Sequence, residues 1–497
     1  MDIGLVGSWI SFFVIRYVII GFSLLIFNAP VWALNWTIRP SLDLEQVYSD
    51  NIKLTDTDKK SALVTELSPG VVINGSSAIS YFDFNYKMQN LYNAGGDSGI
   101  DINNQLQMDT LYEFVSNKVF LESSSSISQQ NISNRRIQSD NISGSDSTAT
   151  VSTFKLSPYW TPHFKGFADG EIRVTYDRVN SSGSESSLSK TNSLAQNIKL
   201  TSGHDFSSMS WFVTFNNSES SNSNSEDVNF QDSEVEVRYA IGRRFSIFAR
   251  GGHSNNSFSS NSESNQNGVH YTLGGQWKPS LRLNVEAGIG NNSFITVDIS
   301  PFRRLHWVTT FANNDIGLNT GNTWNSELNY RTRRSVWKLT YNEKTVTTQR
   351  LLLDQQVSTQ FNTRLPTLTD EVFITKRADA SFTFHTGKSD VIAKAYKTIR
   401  TFEQSDDDEE VTGFNVSWNW KFSRRTSALF KSNWQQTESE GTNAFLDERI
   451  DFSVGITRNI LSRLNGKVEY RYVDQSSDDD LNTYSENRVT ATLSLQY

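Results

Sequence analysis

Hydrophobic and polar residues alternate along most of the chain beyond Leu34, and this pattern predicts β-strands. In the clearest stretch, apolar side chains occupy every second position and polar ones lie between them: Phe82, Phe84, Tyr86 and Met88 against Asp83, Asn85, Lys87 and Gln89. The same period of two recurs at 269–277, 281–289, 414–422, 450–456 and 468–472. Each stretch has one apolar and one polar face, and no convincing amphipathic helix accompanies them.

The connections between these stretches alternate between short and long ones. Short connections predict hairpins at Asn74-Gly75, 242–244, 278–280, 332–335, 387–390 and 423–425. Long connections, rich in Ser, Asn and acidic residues, lie at 124–147, 180–193, 217–227, 254–267, 403–410, 437–448 and 476–484. Short turns at one end and long loops at the other are typical of an outer-membrane β-barrel, whose termini lie in the periplasm and whose long loops are extracellular.

A soluble β-sandwich and a secreted solenoid are the alternative all-β architectures. Bulky aromatic residues near the strand ends match the interfacial girdles of a membrane barrel better than a sandwich. A solenoid would show a repeat of fixed length, and the chain shows none with recurring residues. We therefore predict a single large antiparallel transmembrane β-barrel, of all-β class, with on the order of 22 to 24 strands within residues 34–497.

A barrel of this size has an interior. Barrels with sixteen or more strands leave an aqueous channel or a plugged lumen. Polar residues such as Glu234, Glu236 and Arg238 lie on the face opposite the apolar one and would hydrate this lumen. The sequence contains no stretch that resembles a separate plug domain, so any plug is expected to be a loop folded inward.

The N-terminal region has the features of a secretory signal peptide. Arg16 precedes an apolar run from Tyr17 to Phe27, and Val31-Trp32-Ala33 ends on a small residue. We predict a signal peptide at residues 1–33 with cleavage after Ala33. The alternative is an uncleaved membrane anchor, since the apolar stretch approaches the roughly 20 residues that span a bilayer.

Composition narrows the function classes. The chain of 497 residues has 0 Cys, which excludes disulfide scaffolds, thiolate metal sites and cysteine nucleophiles. Its net charge is −8, with 46 Lys and Arg against 54 Asp and Glu, and it has no basic tract, so nucleic acid is not an expected partner. The 31 Phe, 17 Tyr and 12 Trp need an apolar environment in a chain whose mean hydropathy is −0.48.

The sequence predicts no catalytic site, no metal site and no cofactor. The 6 histidines are scattered, and no pair has metal-ligand spacing. An outer-membrane hydrolase built on His204-Asp205 is the enzymatic alternative, and placing His204 in the lumen would count against it. The acidic runs Asp406 to Glu410 and Asp478 to Asp480 are expected to be solvated loop tips, with a divalent-cation site as the alternative.

The last residues of the chain, Val489, Ala491, Leu493, Leu495 and Tyr497, form a pattern of apolar residues at alternate positions that ends on an aromatic one. This pattern resembles the C-terminal recognition signal of bacterial outer-membrane β-barrel proteins. The resemblance implies that the last strand is handed to the barrel-assembly machinery. It also implies that this strand closes the barrel against a first strand beginning near Trp36.

The whole chain after the predicted signal peptide also resembles the outer-membrane β-barrel proteins associated with the PEP-CTERM/exosortase system of Gram-negative bacteria. The resemblance rests on "LNWTIRPSLDLEQVYSDNIKL" from Leu34, "ELSPGVVINGSSAISYFDFNY" from Glu66 and "WNSELNYRTRRSVWKLTYNEKTVTT" at 324–348. It implies a place among exopolysaccharide biosynthesis and export functions, and it supplies no functional residues.

Two functions follow as hypotheses. The first is a polar-lined conduit for exopolysaccharide. The second is a structural or receptor barrel that displays long surface loops and whose lumen is occluded by the loop around 349–370. The expected partners are outer-membrane lipid with lipopolysaccharide, the barrel-assembly machinery, and exopolysaccharide with its export machinery.

Overall fold

The computed structural model describes residues 35–94, 99–132, 135, 137–144, 148–182, 190–223, 226–258, 267–354, 369–405, 407–441 and 444–497. The predicted signal peptide and its cleavage after Ala33 lie outside the described residues. The first strands are β1 (Asn35–Ser49), β2 (Ala62–Ser76), β3 (Ser80–Asn93), β4 (Gly99–Val115), β5 (Val119–Asn131), β6 (Thr148–Trp160), β7 (His163–Phe164), β8 (Ala168–Ser182) and β9 (Thr191–Ser202).

The chain continues through β10 (Met209–Asn222), β11 (Val228–Ala240), β12 (Phe245–Ser257), β13 (Gly268–Ser280), β14 (Leu283–Gly290), β15 (Asn292–Phe302), β16 (Leu305–Asn314), β17 (Gly321–Arg331) and β18 (Ser335–Thr347). Helix α1 (Thr348–Asp354) follows. The last strands are β19 (Val372–His385), β20 (Ser389–Phe402), β21 (Asp408–Lys421), β22 (Thr426–Glu440), β23 (Phe445–Asn459), β24 (Leu464–Ser477) and β25 (Tyr484–Gln496), with a 3-10 turn at Asp480–Asn482. Within the described ranges, no helix is long and apolar enough to cross a membrane.

The strands form one closed antiparallel barrel. Each strand pairs with its sequence neighbour, and β1 pairs with both β2 and β25. The short β7 continues β6 along the edge of β8, so the 25 strands occupy 24 positions. The predicted closed barrel, its all-β class and its closure between the last strand and a first strand near Trp36 are confirmed.

The two faces of the wall divide as the alternating pattern predicts. The directly paired residues Leu44 and Leu493, and likewise Tyr48 and Val489, lie on the outer face with large exposed fractions. The alternate residues Glu45 and Thr492 pair on the inner face and are hydrogen-bonded at 3.0 Å. A closed sheet that is apolar outside and polar inside satisfies its backbone groups without water, as a bilayer requires. The chain is therefore an outer-membrane β-barrel in architecture.

The two rims of the barrel differ. The rim that carries residues 35 and 497, here called the terminus end, has short turns such as 241–244 and 303–304. The opposite rim, here called the loop end, carries the long connections. Two predicted hairpins form, but their turns lie at 77–79 and 281–282, a few residues later than predicted. Asn74 and Gly75 lie inside β2, where Asn74 donates to Asp83 at 2.8 Å, and β13 runs through Lys278 to Ser280 before its turn.

Among the described residues, four clusters of buried apolar side chains lie inside the barrel near the loop end. One joins Ala149, Val151 and Val179 of the wall with Ile132 and with Leu352 of α1. The others centre on Val47 and Val64, on Leu54 and Tyr484, and on Phe373 and Phe402. The core of this barrel is therefore a layer across one end of its lumen, and polar residues line the remainder.

Candidate functional site in the barrel interior

A segment between β5 and β6 folds into the lumen instead of extending outward. We call its described residues, 132, 135 and 137–144, the inner segment. It contacts the inner faces of β3, β23, β24 and β25, which lie several strands away around the wall. Only a path through the interior allows such contacts.

Ion pairs hold the middle of the inner segment. The guanidinium of Arg488 forms two hydrogen bonds to the carboxylate of Asp140, one of them at 3.0 Å, and Arg471 lies 3.5 Å from the same carboxylate. The adjacent Ser139 donates to Asp451 at 3.0 Å and accepts from Arg449. Three arginines of the wall are thus paired with carboxylates from the wall and from the inner segment.

The position of Asp140 changes its acidity. Burial alone would raise the pKa of Asp140, but the positive charges of Arg488 and Arg471 and hydrogen bonds from Arg488 and the Ile142 amide hold that pKa well below its usual range. The carboxylate therefore stays ionised, and its bonds to the wall stay charge-assisted.

Hydrogen bonds outside the ion pairs hold the flanks of the inner segment. Tyr484 donates its hydroxyl to the carbonyl of Ile137 at 2.7 Å, and Asn141 donates to Gln89 at 2.5 Å. Ser143 of the inner segment and Ser49 of β1 both donate to the same oxygen of Glu486, each at 2.6 Å. The inner segment is therefore fixed to the wall at several points along its length.

Helix α1 closes a second part of the loop end. It leaves β18, yet Leu352 packs on Val151 and Val179 of strands far around the wall. Ile132 of the inner segment belongs to the same cluster. The inner segment and α1 therefore meet inside the barrel and narrow its loop end.

Polar cavities lie along the wall, and two of them have volumes of 640 and 700 Å³. The first lies between β9 and β16, where it is lined by Asn216, Asp232, Arg250 and other polar side chains. The second lies between β16 and β20, with Arg377, Arg400 and Lys344 in its lining. Glu234, Glu236 and Arg238, predicted to hydrate the lumen, are on the inner face as expected.

Ion pairs also order the wall of the second cavity. Arg377 lies 2.6 Å from Asp379, and the buried Arg400 pairs with Glu409. Glu409 belongs to the acidic run that was predicted to be a solvated loop tip, and for this residue the prediction was wrong, because β21 begins at Asp408 and brings Glu409 beside Arg400. Asp406 lies outside the described residues.

The second acidic run is tied to the inner segment. Arg135 lies 3.3 Å from Asp478 and 3.7 Å from Asp479. Within the part of the chain that the structure describes, no group of three or more His, Asp or Glu side chains is arranged to hold a metal ion. His204 lies exposed in the turn after β9, with its Nε2 3.5 Å from the Asp205 carboxylate, and not in the lumen.

The residues of the predicted C-terminal assembly signal lie together on one face. Val489, Ala491, Leu493 and Leu495 point outward from β25. The amide of Tyr497 donates to the carbonyl of Pro40 at 3.0 Å, and the Arg463 guanidinium lies 4.1 Å from the centre of its ring. This placement brings the residues to the seam of the barrel, and their recognition by an assembly machinery stays a prediction.

The inner segment is the feature that the sequence analysis missed. Residues 124–147 were assigned to a surface loop, whereas β5 extends to Asn131 and the described residues beyond it turn inward. The one available signal was the isoleucine at every fifth position, Ile132, Ile137 and Ile142, in an otherwise polar stretch. The proposed occluding loop at 349–370 is described only in part, since 355–368 lie outside the described residues.

Comparisons with known proteins add a fold likeness. No protein-family model and no curated protein matches the chain, so its resemblance to exosortase-associated barrel proteins stays a prediction. Among solved structures, the apoprotein form of the FrpB iron transporter from Neisseria meningitidis is similar at 8% identity, covering 93% of this chain and 81% of that one, with a TM-score of 0.48.

Two further barrels are similar. The siderophore receptor PirA from Pseudomonas aeruginosa has 11% identity, covers 92% of this chain and 80% of its own, and has a TM-score of 0.42. A loop-deletion mutant of OmpT, an outer membrane protein of Vibrio cholerae, has 10% identity, covers 94% of this chain and 100% of its own, and has a TM-score of 0.33. These TM-scores are too low for any of the three likenesses to carry an argument about this chain.

Proposed function

We propose that the protein is an outer-membrane conduit for a hydrophilic polymer of the exopolysaccharide class, closed at its loop end by the inner segment. The observation that carries the proposal is a polar-lined lumen crossed by a segment that is held largely through side-chain ion pairs and hydrogen bonds. A hydrated wall lets a sugar polymer pass without losing its water. We place the termini in the periplasm and the loop end outside the cell, because outer-membrane barrels generally have short periplasmic turns and long extracellular loops.

The chemistry of the closure suits a reversible one. Charges that leave a buried ion pair regain their hydration, so the net stabilisation from an intact pair such as Arg488 with Asp140 is small. Undocking of the whole inner segment therefore costs less than its number of contacts suggests. The exopolysaccharide cargo and its export machinery enter this proposal from the sequence resemblance, as do lipopolysaccharide and the assembly machinery as partners. No catalytic step is part of it.

The second candidate is a permanently closed scaffold barrel that displays its long loops. One observation favours it: the inner segment also buries Ile132 in an apolar cluster with the wall and packs the partly buried Ile142 against another. Each fully buried side chain of this kind contributes about 1.5–3 kcal/mol. Apolar contacts do not regain favourable hydration on undocking, so they oppose opening.

Planar-bilayer recordings separate the two candidates. The proteins to compare are the wild type and a variant in which residues 133–143 are replaced by a short Gly-Ser loop, each first shown to be folded by its heat-modifiable electrophoretic mobility. A conduit is expected to give a large steady conductance in the replaced variant, reduced by dextran added to one side, and small or intermittent conductance in the wild type. A permanently closed scaffold gives no opening in the wild type, not even an intermittent one, whether or not the replaced variant conducts.

A further inference from the structure

Arg250 and Glu286 form the charged floor of the cavity between β9 and β16, and Glu236 and Arg238, which do not line it, hold them in place. Arg250 lies on Glu236 with N–O distances of 2.7 and 3.1 Å, and Arg238 bridges Glu236 at 2.9 Å and Glu286 at 2.8 Å. The Arg250 guanidinium lies 5.1 Å from the ring centre of Phe294. Every charged group of the floor is held by a neighbour, so its donors and acceptors are preorganised.

Glycines make room for the rings behind this floor. Phe248 and Phe294 stack with their ring centres 6.0 Å apart. A Cβ atom at Gly274 would lie 2.3 Å from the Phe248 ring, and one at Gly288 would lie 3.1 Å from the Phe294 ring. The aromatic backing therefore depends on these two positions having no side chain.

The walls of the cavity present amide and carboxylate groups. Asn197 donates to Asn216 at 2.9 Å, and Asp232 accepts from Ser254 at 2.7 Å. A carboxamide has two donor hydrogens and an oxygen with two lone pairs, so each of these asparagines keeps hydrogen-bonding capacity after making this bond. The wall thus combines donors and acceptors at close spacing.

A roof covers the cavity on the loop side. It is the connection 315–320 between β16 and β17, and the Asn292 side chain fixes it by accepting from the amides of Asp315 and Ile316 at 3.1 Å and donating to the Ile316 carbonyl at 2.8 Å. Gly317 in this connection has a φ of +130°, which favours glycine, and both Gly317 and Ser254 of β12 line the cavity. The cavity is therefore a built recess and not an open stretch of wall.

We propose that this recess binds neutral or amino-substituted sugar units and rejects uronic acids. Sugar hydroxyls both donate and accept, and they match a wall in which amides, carboxylates and a guanidinium alternate above aromatic rings. The lining acids Asp232, Glu234 and Glu286 exceed the lining cation Arg250. A sugar carboxylate would meet net repulsion there, whereas a sugar ammonium would be attracted.

This inference rests on the proposed function in one respect only, namely that the lumen handles polysaccharide. The second cavity supplies an internal contrast, because its lining carries Lys344, Arg377 and Arg400 against Glu327 and Asp379 and has no acidic excess. Selectivity against uronic acids is therefore expected at the first cavity and not at the second.

Equilibrium binding to the purified full-length protein in detergent tests the inference at low ionic strength. The probes are cellohexaose, a fully deacetylated chitosan hexamer and a galacturonic acid hexamer. The uncharged cellohexaose and the cationic chitosan hexamer are expected to bind. The galacturonic acid hexamer is expected to bind at least about tenfold more weakly. Asn216→Ala is expected to weaken cellohexaose binding by about tenfold through the lost hydrogen bonds. Asn342→Ala, in the second cavity, is the matched control and should leave this binding unchanged.

Glu234→Gln provides a variant that keeps the shape of the recess while removing one charge. It is expected to narrow the difference between the chitosan and galacturonic acid hexamers, with unchanged heat-modifiable mobility. Equal binding of all three hexamers to the wild type, or equal losses in Asn216→Ala and Asn342→Ala, would overturn the inference. Binding of the hexamers in detergent does not require transport. If the hexamers bind but the protein does not conduct, only the conduit is refuted. If the protein conducts but the hexamers do not bind, only the sugar recess is refuted.

Discussion

Asp140 lies between two arginines of adjacent strands, Arg488 and Arg471, and its substitution is the sharpest test of how the inner segment is held. In Asp140→Asn both guanidiniums stay buried with less compensating charge. Removing one partner of a buried pair costs about 3–5 kcal/mol. We therefore expect the inner segment to undock more often, which single-channel recording would detect as a raised open probability. Asp56→Asn, at an exposed position of the connection after β1, is the control. Equal open probabilities in the two variants would show that this ion pair does not hold the segment.

The closure is also expected to resist moderate acid. Because Arg488 and Arg471 lower the pKa of Asp140, the stabilisation that its ionised form supplies is fully present above the usual aspartate pKa of about 4, and it is lost only as pH falls through the lowered value. The difference in conductance between the wild type and Asp140→Asn should therefore persist from neutral pH to about pH 4. Loss of this difference midway through the interval would contradict the assignment of Asp140 as the ionised anchor. Recordings across a pH series make the comparison.

Single residues of the site were the hardest to predict from the sequence. Asp140 and Arg488 are 348 positions apart, and Ser143 and Glu486 are 343 apart. Alternation identifies Arg488 as a polar residue on the inner face, but it cannot say which distant residue meets it. Pairing of this kind depends on the closed shape of the whole wall, which no local pattern contains.

At the scale of elements, strands were predictable and the inner segment was not. The outward face of β3, with Phe82 to Met88 at alternate positions, needs only a period of two and an apolar surrounding. The inner segment has neither the period of a strand nor that of a helix, because side chains of the wall hold it in an irregular path. Asn74-Gly75 shows the opposite error: a strong turn signal was overridden because both residues pair within a longer ladder.

Packing between strands β12 to β15 gives a prediction at this scale. Gly274→Ala places a Cβ against the Phe248 ring and against the Ala287 carbonyl, both at 2.3 Å. Overpacking of this kind destabilises by about 1–3 kcal/mol. We expect a lower temperature for loss of the heat-modifiable band. Gly387→Ala, in a turn with nothing within 4 Å of the new atom, is the matched control. Equal melting of the two variants would mean that the ring stack relaxes freely.

At the scale of the whole molecule, the closure of the barrel, its all-β class and its size could all be predicted from the sequence. The predicted count of on the order of 22 to 24 strands includes the observed 24 positions. Closure followed from the pattern at the last strand and from the uneven connections. The way in which α1 and the inner segment divide the lumen could not be predicted from the sequence, because it depends on where these two elements meet inside the barrel.

The charge of the interior predicts ion selectivity. Acidic residues face each other directly on the inner wall, Glu45 opposite Glu66 and Asp83 opposite Asp109, and the chain carries a net charge of −8. A pore lined by carboxylates attracts cations, and salt screens the effect within about 10 Å at 0.1 M. Reversal potentials of the variant with residues 133–143 replaced should therefore indicate cation selectivity that weakens as KCl rises. Anion selectivity would contradict this description of the lumen.

An engineered disulfide can hold the inner segment in place and release it again in the same protein, and this gives the most direct measurement of whether the segment closes the barrel. Ser49 and Ser143 both bond the same oxygen of Glu486, and the chain has 0 Cys, so Ser49→Cys with Ser143→Cys introduces the only two thiols. In an Asp140→Asn background, single-channel conductance is recorded after oxidation and again after reduction of the same membrane. We expect a closed channel when the thiols are bridged and a conducting one when they are reduced. Equal conductance in both states, with bridging verified by mass spectrometry, would show that the inner segment does not close the barrel.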